Sequence, residues 1–298
     1  MQDFLQMLIT GLKLGSVYAL IALGYTMVYG IIRLINFAHG DFIMVGGYTL
    51  IFTFPIINTL GLPLWLSIIV AIAVCSTVGI LVELLAYRPI RKKGTGMSAL
   101  ITAISMSFLL QNLAQAIPAI GPDPKPFRTI FPSKTIEIGS LKVDFLTILT
   151  IVVCGVIMIA LQLFVKKTKL GRAMRAVSED KEAAIVTGIN VNKTIIITFA
   201  IGAGLAAVAA LMYFSQYKQV RITSGSIPGL QAFIAAVLGG IGIIPGAMLG
   251  GFIIGLVESF VTCYISSSLA SAFVYLILII VLIIKPSGIL GKNVGEKV

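Results

Sequence analysis

Four polar side chains stand where an otherwise oily sequence has little room for them. Asn36, His39 and Asp41 fall within INFAHGDFIMVGGY (Ile35–Tyr48), and Glu258 falls within LGGFIIGLVESFVT. An ionisable group inside an apolar helix is costly and usually faces the bundle interior or a water-filled cavity. All four are therefore candidates for lining a translocation pathway. A structural alternative stands beside each. Amides and carboxylates also cap the first turn of a helix, which would suit Asn36 and Asp41. His39 could be a hydrogen-bonded core residue, and Glu258 could pair inside the bundle. Asn36, His39 or Gly40, Ile43 and Gly47 share one helical face, and Asp41 lies off it.

Other chemistry finds little support. There is one His, and Cys75, Cys154 and Cys263 are far apart in apolar runs, so neither a metal site nor a disulfide framework is expected. GINVNKT (Gly188–Thr194) has the outline of a phosphate-binding loop, but Asn192 stands where glycine must precede the lysine. Gly202–Ala207 fits G-x-G-x-x-A, but within an apolar run and without a βαβ unit. The chain is expected to be no enzyme, to carry no cofactor and not to bind ATP itself.

A second concentration of chemistry is electrostatic. Lys166 to Asn190 (KKTKLGRAMRAVSEDKEAAIVTGIN) holds nine of the 33 charged residues. Ala173, Ala176, Val177, Asp180 and Ala184 recur at helical spacing, and Gly188 is placed to end the helix. A short helix with a small-residue face and charged flanks can dock into a groove on another protein. The plainer alternative is a solvated basic loop.

These residues must be positioned by membrane-spanning helices. Hydrophobic residues make up 58% of the 298, charged residues 11%, and apolar runs of about 20 residues recur, the length needed to cross a hydrocarbon core. The fold class expected is all-α, a polytopic transmembrane helical bundle forming a single domain over residues 1–298. Spans are predicted at 8–31, 35–56, 64–87, 98–118, 145–165, 194–214, 245–263 and 268–284. Leu230–Ile244 is either a short ninth span or a re-entrant half-helix. The net charge of +11 sits in short loops and follows membrane topology rather than nucleic-acid binding. The basic loop with Arg88, Arg91, Lys92 and Lys93, the 166–193 loop, and the tail with Lys285, Lys292 and Lys297 are expected on the cytoplasmic side. An external N-terminus and an internal C-terminus then require an odd number of crossings. Glu83 is expected to snorkel or to pair with Arg88.

Glycines recur at small-xxx-small spacing, Gly242–Gly246–Gly250 and Gly251–Gly255, which lets helices approach closely. Such contacts serve either packing within the chain or a subunit interface. Glu258 continues the Gly251–Gly255 face.

The motif E-A-A-x-x-x-G at Glu182, Ala183, Ala184 and Gly188 resembles the EAA loop of ABC importers, although the I-x-L-P ending of its longer form is missing. GLKLGSVYALIALGYTMVYGIIRLINFAHGDF, GRAMRAVSEDKEAAIVTGINVNK and LGGIGIIPGAMLGGFIIGLVES together resemble the branched-chain amino acid ABC permease family of the LivH type. That resemblance implies a multi-pass subunit of the inner membrane that imports branched-chain amino acids. It implies a homologous second permease, two ABC ATPases that bind the ATP, and a periplasmic or lipid-anchored binding protein. It places the ATPase-coupling contacts at Arg172, Arg175, Glu179, Asp180, Glu182, Ala183, Ala184 and Gly188. Urea, short amides or other amino acids are alternative cargoes for the same architecture. An ion-coupled secondary transporter is the alternative from another class; it would need paired ionisable groups at mid-membrane, where Glu258 is the one candidate.

Overall fold

A computed structural model describes residues 2–34, 36–93, 96–132, 134–138 and 141–291. Ile35, Lys292 and Lys297 lie outside them. Among the described residues, eight helices are long and apolar enough to cross a membrane. The chain runs α1 (Gln2–Ile32), α2 (His39–Thr59) and α3 (Leu66–Val82). A π-helical turn, Glu83–Tyr87, carries α3 without a break into α4 (Arg88–Lys93). Then come α5 (Gly96–Ala116), β1 (Lys125–Pro126), β2 (Thr135–Ile138), β3 (Leu141–Asp144) and α6 (Phe145–Lys167). The charged island forms α7 (Lys169–Glu179) and α8 (Lys181–Val186), followed by α9 (Val191–Tyr217) and β4 (Gln219–Val220). The last third is α10 (Ser226–Gly239), α11 (Ile244–Tyr264) and α12 (Ala270–Ile284).

The core helices are α1 and α9, with 72% and 67% of their most apolar stretch buried, against 11% for α12. In hydrocarbon, apolar surface alone does not drive helices together; close packing does. Glycines permit it. Gly255 meets Gly11 and Gly15 of α1, and Gly251 meets Ala19. Gly246 and Gly250 meet Gly239 and Ala235 of α10. Each of the two glycine rows of α11 thus receives a different helix. Gly242 does not belong to either row. It precedes α11, in a turn with φ +87° beside Gly30, so the expected Gly242–Gly246–Gly250 face begins at Gly246.

The short helix α10 lies between two helices that run the same way. α1 runs antiparallel to α11 through the Gly11–Gly255 and Gly15–Gly251 contacts, and antiparallel to α9, since Gly24 meets Gly202 while the start of α1 lines one cavity with Gln216 and Tyr217. So α9 and α11 point the same way, and the chain must return between them. The return starts at β4, paired antiparallel with β1 in the long loop before α6. It ends where the Leu238 and Gly239 carbonyls accept hydrogen bonds from Ile289 and Leu290, beyond the end of α12. Fourteen residues reach only about 21 Å, less than the roughly 30 Å of a hydrocarbon core. The 221–225 turn makes up the difference, seated where Gly225 meets Gly40. With α10 the described residues make nine passages, the odd number that the loop charges require.

Glu83 departs from expectation. Its side chain is fully buried and pairs with Arg91, at 2.7 Å, rather than with Arg88 or with water. The π turn explains this. It adds one residue to the helical path, so Arg91 at i+8 occupies the place of i+7 and lies above Glu83, two turns on. Arg91 also donates to Asn192 Oδ1 of α9 at 3.1 Å. Arg91→Met is expected to destabilise the bundle by about 2 kcal/mol, because it strands a buried charge-assisted acceptor. Pairing it with Glu83→Gln should recover part of that loss, and thermal melts in detergent would show both.

Candidate functional site

The segment between α1 and α2 folds back into the bundle. Arg33, with φ +59°, turns the chain, and its guanidinium donates to the Ser178 carbonyl of α7 at 3.0 Å. Asn36 Oδ1 accepts from the Tyr87 hydroxyl at 3.0 Å. The His39 ring is fully buried. It packs against Tyr25 in a tilted contact, ring centroids 4.4 Å apart, and meets Phe42 edge-on at 5.6 Å. Room for it exists because Gly24 has no side chain: a Cβ there would come within 2.6 Å of the imidazole.

Asp41 does not cap α2, whose N-cap Ala38 makes no side-chain bond. It accepts instead from Gln111 Nε2 of α5 at 2.8 Å, and the same amide nitrogen donates to Ser107 Oγ. Asn36, His39 and Asp41 are each at most 2% exposed. In this conformation they join α2 to α1, α5 and the π turn.

Glu258 lies elsewhere. Its Oε2 accepts from the Tyr18 hydroxyl of α1 at 2.8 Å, and it lines a cavity of about 460 Å³ between α1, α11 and the end of α9. This cavity is at the end of the bundle opposite the basic loops. A second cavity of about 850 Å³ opens at the basic end, bordered by Tyr29, Arg33, Glu179 and Gly242. Between the two, residues 17–23 of α1 are 0–2% exposed. The α1 stretch that separates the two cavities is therefore packed against its neighbours on all sides.

The charged island is two helices rather than one. Asp180 is extended (φ −150°, ψ 119°) and ends α7. Its carboxylate accepts from the Glu182 and Ala183 amides at 2.8 and 3.0 Å, capping α8. Gly188 (φ +81°) closes α8 in the left-handed region open to glycine, and Asn190 caps α9 through the Lys193 amide. α7 is fixed by Gly171, Met174 and Val177, all buried. Arg172 and Arg175 donate to the Lys167 and Lys166 carbonyls at the end of α6, where a cation favours the helix dipole.

Ala184 faces inward and is 2% exposed, whereas Ile185 and Val186 are 61% and 87% exposed. A bulky charge at Ala184 would therefore disturb the chain's own packing, and the free apolar face of α8 is Ile185–Val186. Glu179, Glu182 and Ala183 are exposed beside it. Lys181 is pulled below its ordinary pKa by partial burial and by the nearby Arg91 and Arg33 charges. The basic end thus gathers cations from α1, α4 and α8.

Comparison with known proteins adds a second line. The family model described as branched-chain amino acid transport system / permease component matches residues 7–282. The high-affinity branched-chain amino acid transport system permease protein BraD of Pseudomonas aeruginosa is 41% identical over 304 residues, covering 99% of this chain and 98% of that protein. LivH of Escherichia coli, which carries the same description, is 40% identical with the same coverage. A probable branched-chain amino acid transport permease protein of Methanocaldococcus jannaschii is 31% identical, covering 94% of this chain and 90% of that protein. No solved structure matches the chain.

Proposed function

This chain belongs to the branched-chain amino acid transport permease family, and from that premise we propose that it is the permease subunit of an ABC importer for leucine, isoleucine and valine in the inner membrane. The observation that carries the reading is identity of about two residues in five with such permeases along almost the whole chain. The burial of α1 residues 17–23 between the Glu258 cavity and the cavity at the basic end fits a path shared with a second, homologous permease.

Two ATPases would bind the ATP and grip α7 and α8 from the cytoplasm, and a periplasmic or lipid-anchored binding protein would deliver the cargo to the other end. Asn36, His39 and Asp41 sit along the route by which force would spread. α7 holds Arg33, Arg33 begins the α1–α2 segment, that segment carries Asn36 to Tyr87, and the first turn of α2 beyond it carries Asp41 to α5. A rigid shift of α7 would move the start of α2 with it, and closure of the ATPases would then bias the bundle between inward- and outward-open states.

The test is reconstitution. Proteoliposomes holding this chain with its co-purifying partners are expected to take up leucine only with internal ATP and external binding protein. Concentrative leucine uptake by the chain alone would refute the assignment.

A further inference from the structure

We propose that Glu258 is the seat for the α-ammonium group of the amino acid as it enters from the end opposite the basic loops. The inference rests on the transport reading above and gives that reading a binding site within this chain.

Among the described residues no Lys, Arg or His nitrogen lies within 4.0 Å of Glu258. Glu83 has Arg91 at 2.7 Å, and Asp144 has Lys13 at 3.7 Å. The neutral Tyr18 hydroxyl donates to Oε2 and the buried Gln231 side chain of α10 lies beside the same carboxylate, yet a carboxylate offers about four acceptor positions, which leaves room for a further donor. A carboxyl group within a membrane-spanning helix must be protonated, paired or wet, and Glu258 borders the cavity, where water and cargo can reach it.

The lining as a whole points to a cation. Two of its residues, Asp3 and Glu258, are carboxylic acids and none is Lys, Arg or His, in a chain of net charge +11. Met7 and Leu14 supply an apolar wall on α1, and Thr262 stands one turn beyond Glu258 on α11. A cavity of about 460 Å³ admits leucine with room for water. With no cation to hold the α-carboxylate, the seat is one-sided and weak, as a transit site must be if cargo is to leave it.

A reporter is built in. Cys263 is exposed and lines this cavity, whereas Cys75 and Cys154 are fully buried. In the reconstituted transporter, Cys263 should react with a cationic methanethiosulfonate about tenfold faster than with an anionic one, because a cleft of one charge sign concentrates counter-ions. Leucine and isoamylamine, which carry the ammonium, should slow the cationic reagent. Isocaproate, which is leucine without its ammonium, and sodium chloride at equal ionic strength should not. Glu258→Gln keeps the shape and the Tyr18 hydrogen bond, and should abolish both the charge preference and the protection by leucine; gel filtration would verify assembly.

Three results overturn the proposal: protection by isocaproate equal to that by leucine, protection by sodium ion, or a Cys263 inert to both reagents. Any of these with ATP-driven leucine uptake intact removes the ammonium seat and leaves the transport reading standing. Loss of that uptake in the wild-type complex strikes the transport reading itself.

Discussion

ATP-driven uptake is expected to fall by about tenfold or more when Val186 is replaced by Glu, with the membrane bundle unchanged. Val186 is 87% exposed and Ile185 61%, at the end of a helix tied down on every other side. Ala184 is buried beneath them, Asp180 caps the helix start, and the Ile189 amide bonds back to the Ala184 carbonyl at 2.9 Å. Because α8 is held this firmly, a new charge at its tip has no room to rearrange. It must be accommodated by whatever covers Val186. Among the described residues nothing does, so the bundle should melt at the wild-type temperature. A buried apolar anchor at the centre of an interface carries about 2 kcal/mol or more, and 1.4 kcal/mol is tenfold in affinity. The ATPase subunits should therefore fail to co-elute, and uptake should fall in step. Wild-type uptake and co-elution by Val186→Glu would place the docking surface elsewhere.

The same helix shows where the sequence was legible and where it was not. The pattern from Ala173 to Ala184 suggested one small-residue face. That pattern assumes a single continuous helix, and Asp180 interrupts it. The side chain of Asp180 bonds amides two and three residues ahead, the usual action of an Asp N-cap, and the signal was present in S-E-D-K-E-A-A. Beyond the break the helical phase restarts, which turns Ala184 inward and leaves Ile185–Val186 outside.

Phase is also what hid the Glu83–Arg91 pair. A π turn has no sequence signature comparable to a glycine or a proline, so the spacing of eight residues did not read as one face. The spans themselves were plain, because a 20-residue apolar run has few other uses in a chain with 11% charge. The parity of the crossings was readable from loop charges as well. The choice of α10 as the short ninth passage needed the antiparallel contacts of α1 with both α9 and α11.

Glu258 was visible as an intramembrane carboxylate, but its cavity was not. The facing residues Met7, Thr10 and Leu14 lie some 250 positions away. The glycines opposite α11 carry a signal of their own: Gly11 and Gly15, in GLKLG, repeat the four-residue spacing of Gly251 and Gly255.

Those two pairs set the largest expected effect on stability. A Cβ at Gly255 would fall 2.6 Å from the Gly11 carbonyl oxygen and nearer still to the Gly15 backbone. The obstruction is main chain on a helix, which cannot turn aside as the end of a flexible side chain could. Gly255→Leu must push α1 and α11 apart along the seam where Gly11, Gly15, Gly251 and Gly255 meet. It would forfeit the close contacts that hold helices together in lipid. Overpacking costs about 1–3 kcal/mol and sometimes more, and a seam of backbone against backbone belongs at the upper end. Since the displaced helices also form the walls of the Glu258 cavity, transport should be lost together with folded yield. Gly155→Leu on α6 is the matching control, because nothing lies within 4 Å of a Cβ built there. Its melting temperature in detergent should match that of the wild type, while that of Gly255→Leu should drop by several degrees or the protein should fail to accumulate. Equal melting of the two variants would mean that the α1–α11 seam is not a structural spine of the bundle.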